Sequence, residues 1–180
     1  DEARELTAGE YKRLLSAARR NKQERLLLAM ETICATGIRV SELRFFTLEA
    51  VRAGKAIVTN KGKTREVYLP GKLRGRLLDY AKRIHISSGA LFITKNGRPL
   101  DRSNLWREMK SLCREARVAA GKVFPHNLRH LFARTFYKVE KDLARLADIL
   151  GHSNINTTRI YTLETGAAHR RRLDRLQLLL

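Results

Sequence analysis

Pro125-His126-Asn127-Leu128-Arg129-His130-Leu131-Phe132 begins with a proline suited to the first position of a helix, and Leu128, Leu131, Phe132 and Phe136 follow in helical phase. Residues three and four apart share a helix face, so His126, Arg129 and His130 project together. Histidines at i and i+4 suggest zinc. The metalloprotease pattern, however, needs Glu directly after the first His, where Asn127 stands, and Arg129 between the ligands repels a dication. Zinc is therefore set aside. Read alone, the segment has a plainer alternative, a surface His/Arg face on a basic protein.

Downstream, Leu143, Leu146, Ala147 and Leu150 mark another helix, stopped by Gly151 as a C-cap and followed by His152, Ser153 and, later, Tyr161. Alone, Tyr161 reads as a half-buried packing residue and His152 as a cation at a helix C-terminus. Upstream, Ala35-Thr36-Gly37-Ile38-Arg39-Val40-Ser41-Glu42-Leu43 reads as a junction between two helices, with Arg39 pairing locally with Glu42. Lys55–Thr59 and Glu66–Leu69 are β-prone runs around a basic hairpin tip carrying Lys61, Lys63 and Arg65. Lys63 and Arg65 are candidate DNA contacts there, against the commoner reading of a solvated turn. Leu91-Phe92-Ile93 is expected to add a third small strand. A capping box at Thr7-Ala8-Gly9-Glu10 opens the first helix, and a second runs from about Lys22 to the Thr36-Gly37 break. A third starts near Val40 and ends before Gly54. The expected class is α+β, mostly helical, with a small antiparallel three-stranded sheet.

The charge narrows the partners. Over 180 residues, 37 lysines and arginines face 18 acidic residues, a net charge of +19, and the pI of 10.8 points to a polyanion. With 43% hydrophobic residues the chain can bury an ordinary core, which excludes disorder. No apolar run approaches the ~20 residues of a membrane span. Cys34 and Cys113 show no paired spacing, which excludes a disulfide scaffold and fits a reducing cytoplasm.

Taken in order, Thr-Gly-Ile-Arg-Val-Ser-Glu-Leu, a basic hairpin, His-x-Leu-Arg-His, Leu-Gly-His and a trailing Tyr resemble the catalytic domain of the tyrosine recombinases of the phage-integrase family. The resemblance runs from about Leu6 to about Thr162. It implies Arg39, Lys61, His126, Arg129, His152 and Tyr161 as the catalytic set, with Tyr161 as nucleophile and His130 outside the set. Lys63, two residues on, is the other candidate for the hairpin lysine. The implied activity is site-specific strand cleavage and rejoining through a 3′-phosphotyrosyl intermediate, in DNA integration or excision.

A phosphodiester attacked in line gains negative charge, and two guanidiniums suit it because each is permanently charged and forked. Arg39 and Arg129 fit that role, with His152 as a further donor. The family implies His126 as the proton acceptor, with the surrounding cations favouring phenolate, and Lys61 as the acid for the leaving 5′-oxygen. No metal, ATP or other cofactor is expected. Implied partners are double-stranded DNA attachment sites and further copies of the chain, a tetramer in pairs on DNA and a monomer when free. A directionality factor is a further partner of this kind. The catalytic domain is expected over residues 1–165 and a tail helix over 166–180, with Leu173, Leu176 and Leu180 on one face, docked either on its own domain or on a neighbour. The family's N-terminal core-binding domain is expected to lie outside this sequence. Two alternatives stay open: type IB topoisomerase-like relaxation, and a catalytically silent DNA-binding module.

Overall fold

Thr7 starts the first helix as the sequence predicts: its hydroxyl accepts from the Glu10 N–H at 3.1 Å, and the Glu10 carboxylate accepts from the Thr7 N–H at 2.9 Å. In the computed structural model, which describes residues 2–163 and 166–179, this helix is α1 (Ala8–Arg20). It is followed by α2 (Glu24–Thr36), a 3-10 helix (Val40–Phe45) and α3 (Leu48–Ala53). The single helix expected between Val40 and Gly54 is thus two. Thr47 interrupts it with extended backbone and caps α3 by accepting from the Ala50 N–H.

The hairpin comes next, β1 (Lys55–Asn60) and β2 (Lys63–Tyr68), paired antiparallel with Asn60 opposite Lys63. That register leaves a two-residue turn of Lys61 and Gly62. Both have positive φ, 51° and 76°, as a type I′ turn requires. The described residues contain two strands, not three. Leu91 and Phe92 are fully buried, but the Leu91 N–H is spent on the Phe46 carbonyl and the segment makes only isolated bridges, Thr47 to Ala90 and Ile93 to Pro99. Its apolar residues serve the core without a ladder.

The remaining α-helices are α4 (Gly71–Arg83), α5 (Arg102–Lys110), α6 (Cys113–Ala116), α7 (Pro125–Glu140), α8 (Leu143–Leu150) and α9 (Gly166–Arg175), and Tyr161 sits in a short 3-10 helix (Arg159–Thr162). α2 is the central element, packed by α1, α4, α5 and α7, and seven of its residues are buried. Phe46, Phe92, Met30, Ile33 and Leu105 lie in one core, where each large apolar side chain contributes about 1.5–3 kcal/mol. A smaller cluster of Ala133, Leu146 and Leu150, backed by Phe132 and Phe136, sits between α7 and α8 and receives Tyr161. The tail helix stops at Arg175, short of the predicted run to residue 180, and Gln177 has positive φ. Thr165, at the expected domain boundary, and Leu180 lie outside the described residues.

Candidate active site

Two helix ends meet where α2, α7 and α8 converge. α2 ends at Gly37, whose φ of 76° and close approach both require glycine: a Cβ there would lie 2.4 Å from the Phe132 ring. α8 ends at Gly151, also left-handed, leaving its last carbonyls free. Arg129, rooted on α7 and 2% exposed, takes both ends. Its Nη1 donates to the Gly37 carbonyl at 2.7 Å, and its Nη2 to the Leu150 carbonyl at 2.8 Å. Arg39 reaches the same Leu150 carbonyl through Nη1 at 3.3 Å. Two guanidiniums are thereby held beside each other by main-chain acceptors. Burial, then the repulsion of Arg39, pulls Arg129 down to about 10, which leaves it charged at neutral pH.

His152 joins them. An arginine only donates, so His152 Nε2 is the acceptor of the 3.2 Å contact from Arg129 Nη2. The ring proton is then on Nδ1, which donates to the Thr158 hydroxyl at 2.7 Å. Burial and the cations Arg129, Arg39 and Arg65 hold His152 neutral, down to about 4. At rest it is an acceptor. Thr158, fully buried, was not singled out in the sequence. It orients His152 and also accepts the Tyr161 N–H on its own carbonyl at 3.1 Å. Its signal in the sequence is its place in the Ser153–Thr162 run that leads to Tyr161.

Tyr161 is half-buried, and its hydroxyl shares a hydrogen bond with Nδ1 of His130, the histidine placed outside the expected set. His126 stands behind, its ring centroid 4.5 Å from that of His130 in a T-shaped contact. Burial raises the Tyr161 phenol above its ordinary value against the opposing pull of Arg129 and Arg134. The cations do favour phenolate, as expected, but in this state desolvation outweighs them. His126 lines a cavity of about 460 Å³ together with Arg39, Ser41, Arg102 and Arg129.

The hairpin lies to one side. A cavity of about 280 Å³ separates Asn60, Lys63 and Thr64 from Gly151, His152 and Ser153. Lys63 faces it, whereas Lys61 sits on the turn. Arg65, read as a DNA contact, is turned inward: its Nη1 and Nη2 bond the fully buried Glu42 carboxylate at 2.6 and 3.0 Å. Glu42 lies 3.8 Å from Arg39 Nη1, so the local pairing predicted for Arg39 is the weaker of the two ion pairs that Glu42 makes. Among the described residues no group of three or more His, Cys, Asp or Glu is placed to hold a metal ion.

The histidines set a pH dependence. His130 is also pushed down to about 4, by burial and then by His126, and His126 is lowered by burial and Arg129. Lowered folded-state values mean that the unfolded chain, with histidines near ~6.5, binds protons first as pH falls. Stability is fully present above that value and is lost as pH falls toward 4. Thermal melts at pH 7.5 and 5.0 are expected to differ by several degrees, and a His130→Gln/His152→Gln chain should show a flatter dependence over the same window.

Comparison with known proteins places the chain in a family and its fold among solved structures. A profile described as the phage integrase family matches residues 4–166. Tyrosine recombinase XerA of Pyrococcus furiosus is 32% identical over 97% of this chain and 62% of its own length. Tyrosine recombinase XerD of Halalkalibacterium halodurans is 33% identical over 74% of this chain and 47% of its own length. The crystal structure of XerA recombinase matches with a TM-score of 0.78 and 26% identity over 98% of this chain and 64% of that one. XerH site-specific recombinase, bound to difH substrate in a pre-cleavage complex, matches with a TM-score of 0.79 over 97% of this chain and 54% of that one. Its 23% identity speaks for the fold alone. The chain thus spans about half to just under two thirds of the relatives it matches.

Proposed function

The chain belongs to the phage integrase family, and on that premise we propose that it is the catalytic part of a site-specific DNA recombinase with Tyr161 as nucleophile. The observation that carries this reading is the convergence of Arg39, Arg129 and His152 on the α8 C-terminus, with the Tyr161 hydroxyl held by the neighbouring α7 histidine.

The chemistry follows from the parts. A scissile phosphate beside Arg39 and Arg129 has its growing negative charge met by two fixed guanidiniums, and His152 adds a donor once protonated. Tyr161 Oη bonds to phosphorus as the P–O5′ bond breaks. The phenolic proton passes to the α7 histidine pair, where His130 already bonds the hydroxyl and His126 is the acceptor that the family implies. The departing 5′-oxygen takes a proton from the hairpin lysine, Lys61 or the cavity-facing Lys63. The phosphotyrosyl bond conserves the energy of the phosphodiester, and a 5′-hydroxyl from another strand reverses the step. Neither a metal nor ATP enters.

Double-stranded attachment sites are the substrate in this reading, in integration or excision, with the chain working in the cytoplasm as pairs within a tetramer. The test is incubation with a library of nicked duplexes of randomised core sequence, then denaturing electrophoresis. A covalent protein–DNA band is expected. Binding without that band would mean a silent DNA-binding module, and relaxed plasmid circles without strand exchange would mean topoisomerase-type chemistry.

The tail supports assembly in trans. No residue of α9 is buried, and Leu173 and Leu176 are 54% and 58% exposed. An amphipathic segment left open this way suits a groove on a neighbouring protomer. Deletion after Thr165 is expected to leave the domain folded while weakening cooperative binding to a paired site in gel-shift titrations. Unchanged cooperativity in a folded truncated chain would remove the exchange role.

A further inference from the structure

We propose that Arg65 is a positioning residue that fastens the lysine-bearing hairpin to the floor of the site, setting where the leaving-group proton donor stands. This rests on the recombinase reading above. Arg65 lies on β2, two residues past Lys63, opposite Val58. Its side chain is 16% exposed, too buried for a surface arginine awaiting DNA. All three guanidinium nitrogens are engaged: Nη1 and Nη2 clasp Glu42, and Nε donates to the Ile149 carbonyl at 3.0 Å.

Each partner belongs to a different part of the site. Glu42 also accepts the Arg39 N–H at 2.8 Å, so the carboxylate that holds Arg65 fixes the backbone of a phosphate-facing arginine. Ile149 is in the last turn of α8, next to the Leu150 carbonyl shared by Arg39 and Arg129. The guanidinium lies across Gly151, where a Cβ would come within 2.8 Å of Nη1. Gly151 is therefore bare on two counts, its left-handed backbone and the arginine packed on it. The hairpin itself is two strands and a tight turn, and its tip stands across a cavity from His152. Ala56, Val58 and Val67 root the ribbon in the core, and Arg65, in the third pair from the turn, is the last anchor before the exposed tip, so it decides where the tip rests. A general acid must stand within hydrogen-bond reach of the departing oxygen, and a displacement of about 1 Å can cost about 10²-fold in rate.

The experiment separates this role from folding. Arg65→Lys keeps a cation for Glu42 but cannot hold Glu42 and the Ile149 carbonyl together. Its folding is checked by thermal melt, with Arg65→Gln as a second variant should the first not fold. Cleavage is compared on nicked DNA with an ordinary scissile phosphate and with a bridging 5′-sulfur, which leaves as a thiolate and needs no proton. The variant is expected to be slower by about 10²-fold on the ordinary strand. On the sulfur strand it should match the wild type within about threefold, because the acid is no longer needed. Amide exchange at Asn60–Lys63 in the DNA-free chain is expected to speed up. Equal slowing on both strands, or undiminished cleavage of ordinary DNA, or unaltered exchange at the tip, would overturn the proposal while leaving the recombinase reading in place. A wild-type chain that forms no adduct on either strand overturns that reading and this role together.

Discussion

Tyr161→Phe is expected to abolish the covalent adduct while leaving the fold and DNA affinity intact. The substitution removes one oxygen and keeps the ring that packs against the α7–α8 cluster. The lost hydrogen bond to His130 is partly buried and costs about 1 kcal/mol. None of the groups proposed to face the phosphate, Arg39, Arg129 or His152, depends on the phenol for its own partners. The measurement is denaturing electrophoresis beside a gel shift on the same duplex. A surviving adduct would transfer the nucleophile to another of the five tyrosines.

Arg129→Ala is expected to combine a chemical and a structural defect, and Arg39→Ala mainly the chemical one. Removing either guanidinium takes away stabilisation of transition-state charge and should slow cleavage by about 10²–10³-fold, with a smaller effect on binding. The two differ in burial. Arg129 is 2% exposed and satisfies two carbonyls, so its loss strands the Gly37 carbonyl, leaves Leu150 only the long Arg39 bond, and should cost about 2 kcal/mol of stability. The Arg39 side chain is 27% exposed and its bond to Leu150 is long, so its removal should hardly move the melting temperature. Single-turnover cleavage and thermal melts on both variants check the contrast. Equal melting temperatures would show that Arg129 is not the brace that its contacts describe.

Local signals made most of this legible. Thr7 with Glu10, Pro125, and the glycines at 37 and 151 mark helix ends through their own backbone requirements, and the structure puts ends at each. The order of Arg39, His126, Arg129, His152 and Tyr161 in the sequence picked out residues that the fold brings close together. The misreadings share one physical source. Leu91-Phe92 has the composition of a strand, but a ladder depends on where a distant edge lies, and the Phe46 carbonyl took its N–H instead. Arg65 looks like an exposed cation until Glu42, far off in sequence, is folded beneath it. His130 differs from His126 only in which side of α7 meets the Tyr161 segment, a matter of tertiary approach that helical spacing leaves open.

The acceptors that aim Arg129 are peptide carbonyls, and that has a consequence for divergence. A carboxylate that orients a catalytic arginine disappears with one codon change, whereas a backbone oxygen is present whatever residue occupies the position. Residue 150 could change identity without erasing the oxygen on which Arg129 and Arg39 meet. What the arrangement cannot survive is a shift in how a helix ends. At Gly37 any added side chain strikes Phe132 and would move the oxygen it carries. The aim of the two cations therefore rests on the glycines that terminate α2 and α8 more than on the identity of the residues whose oxygens they use.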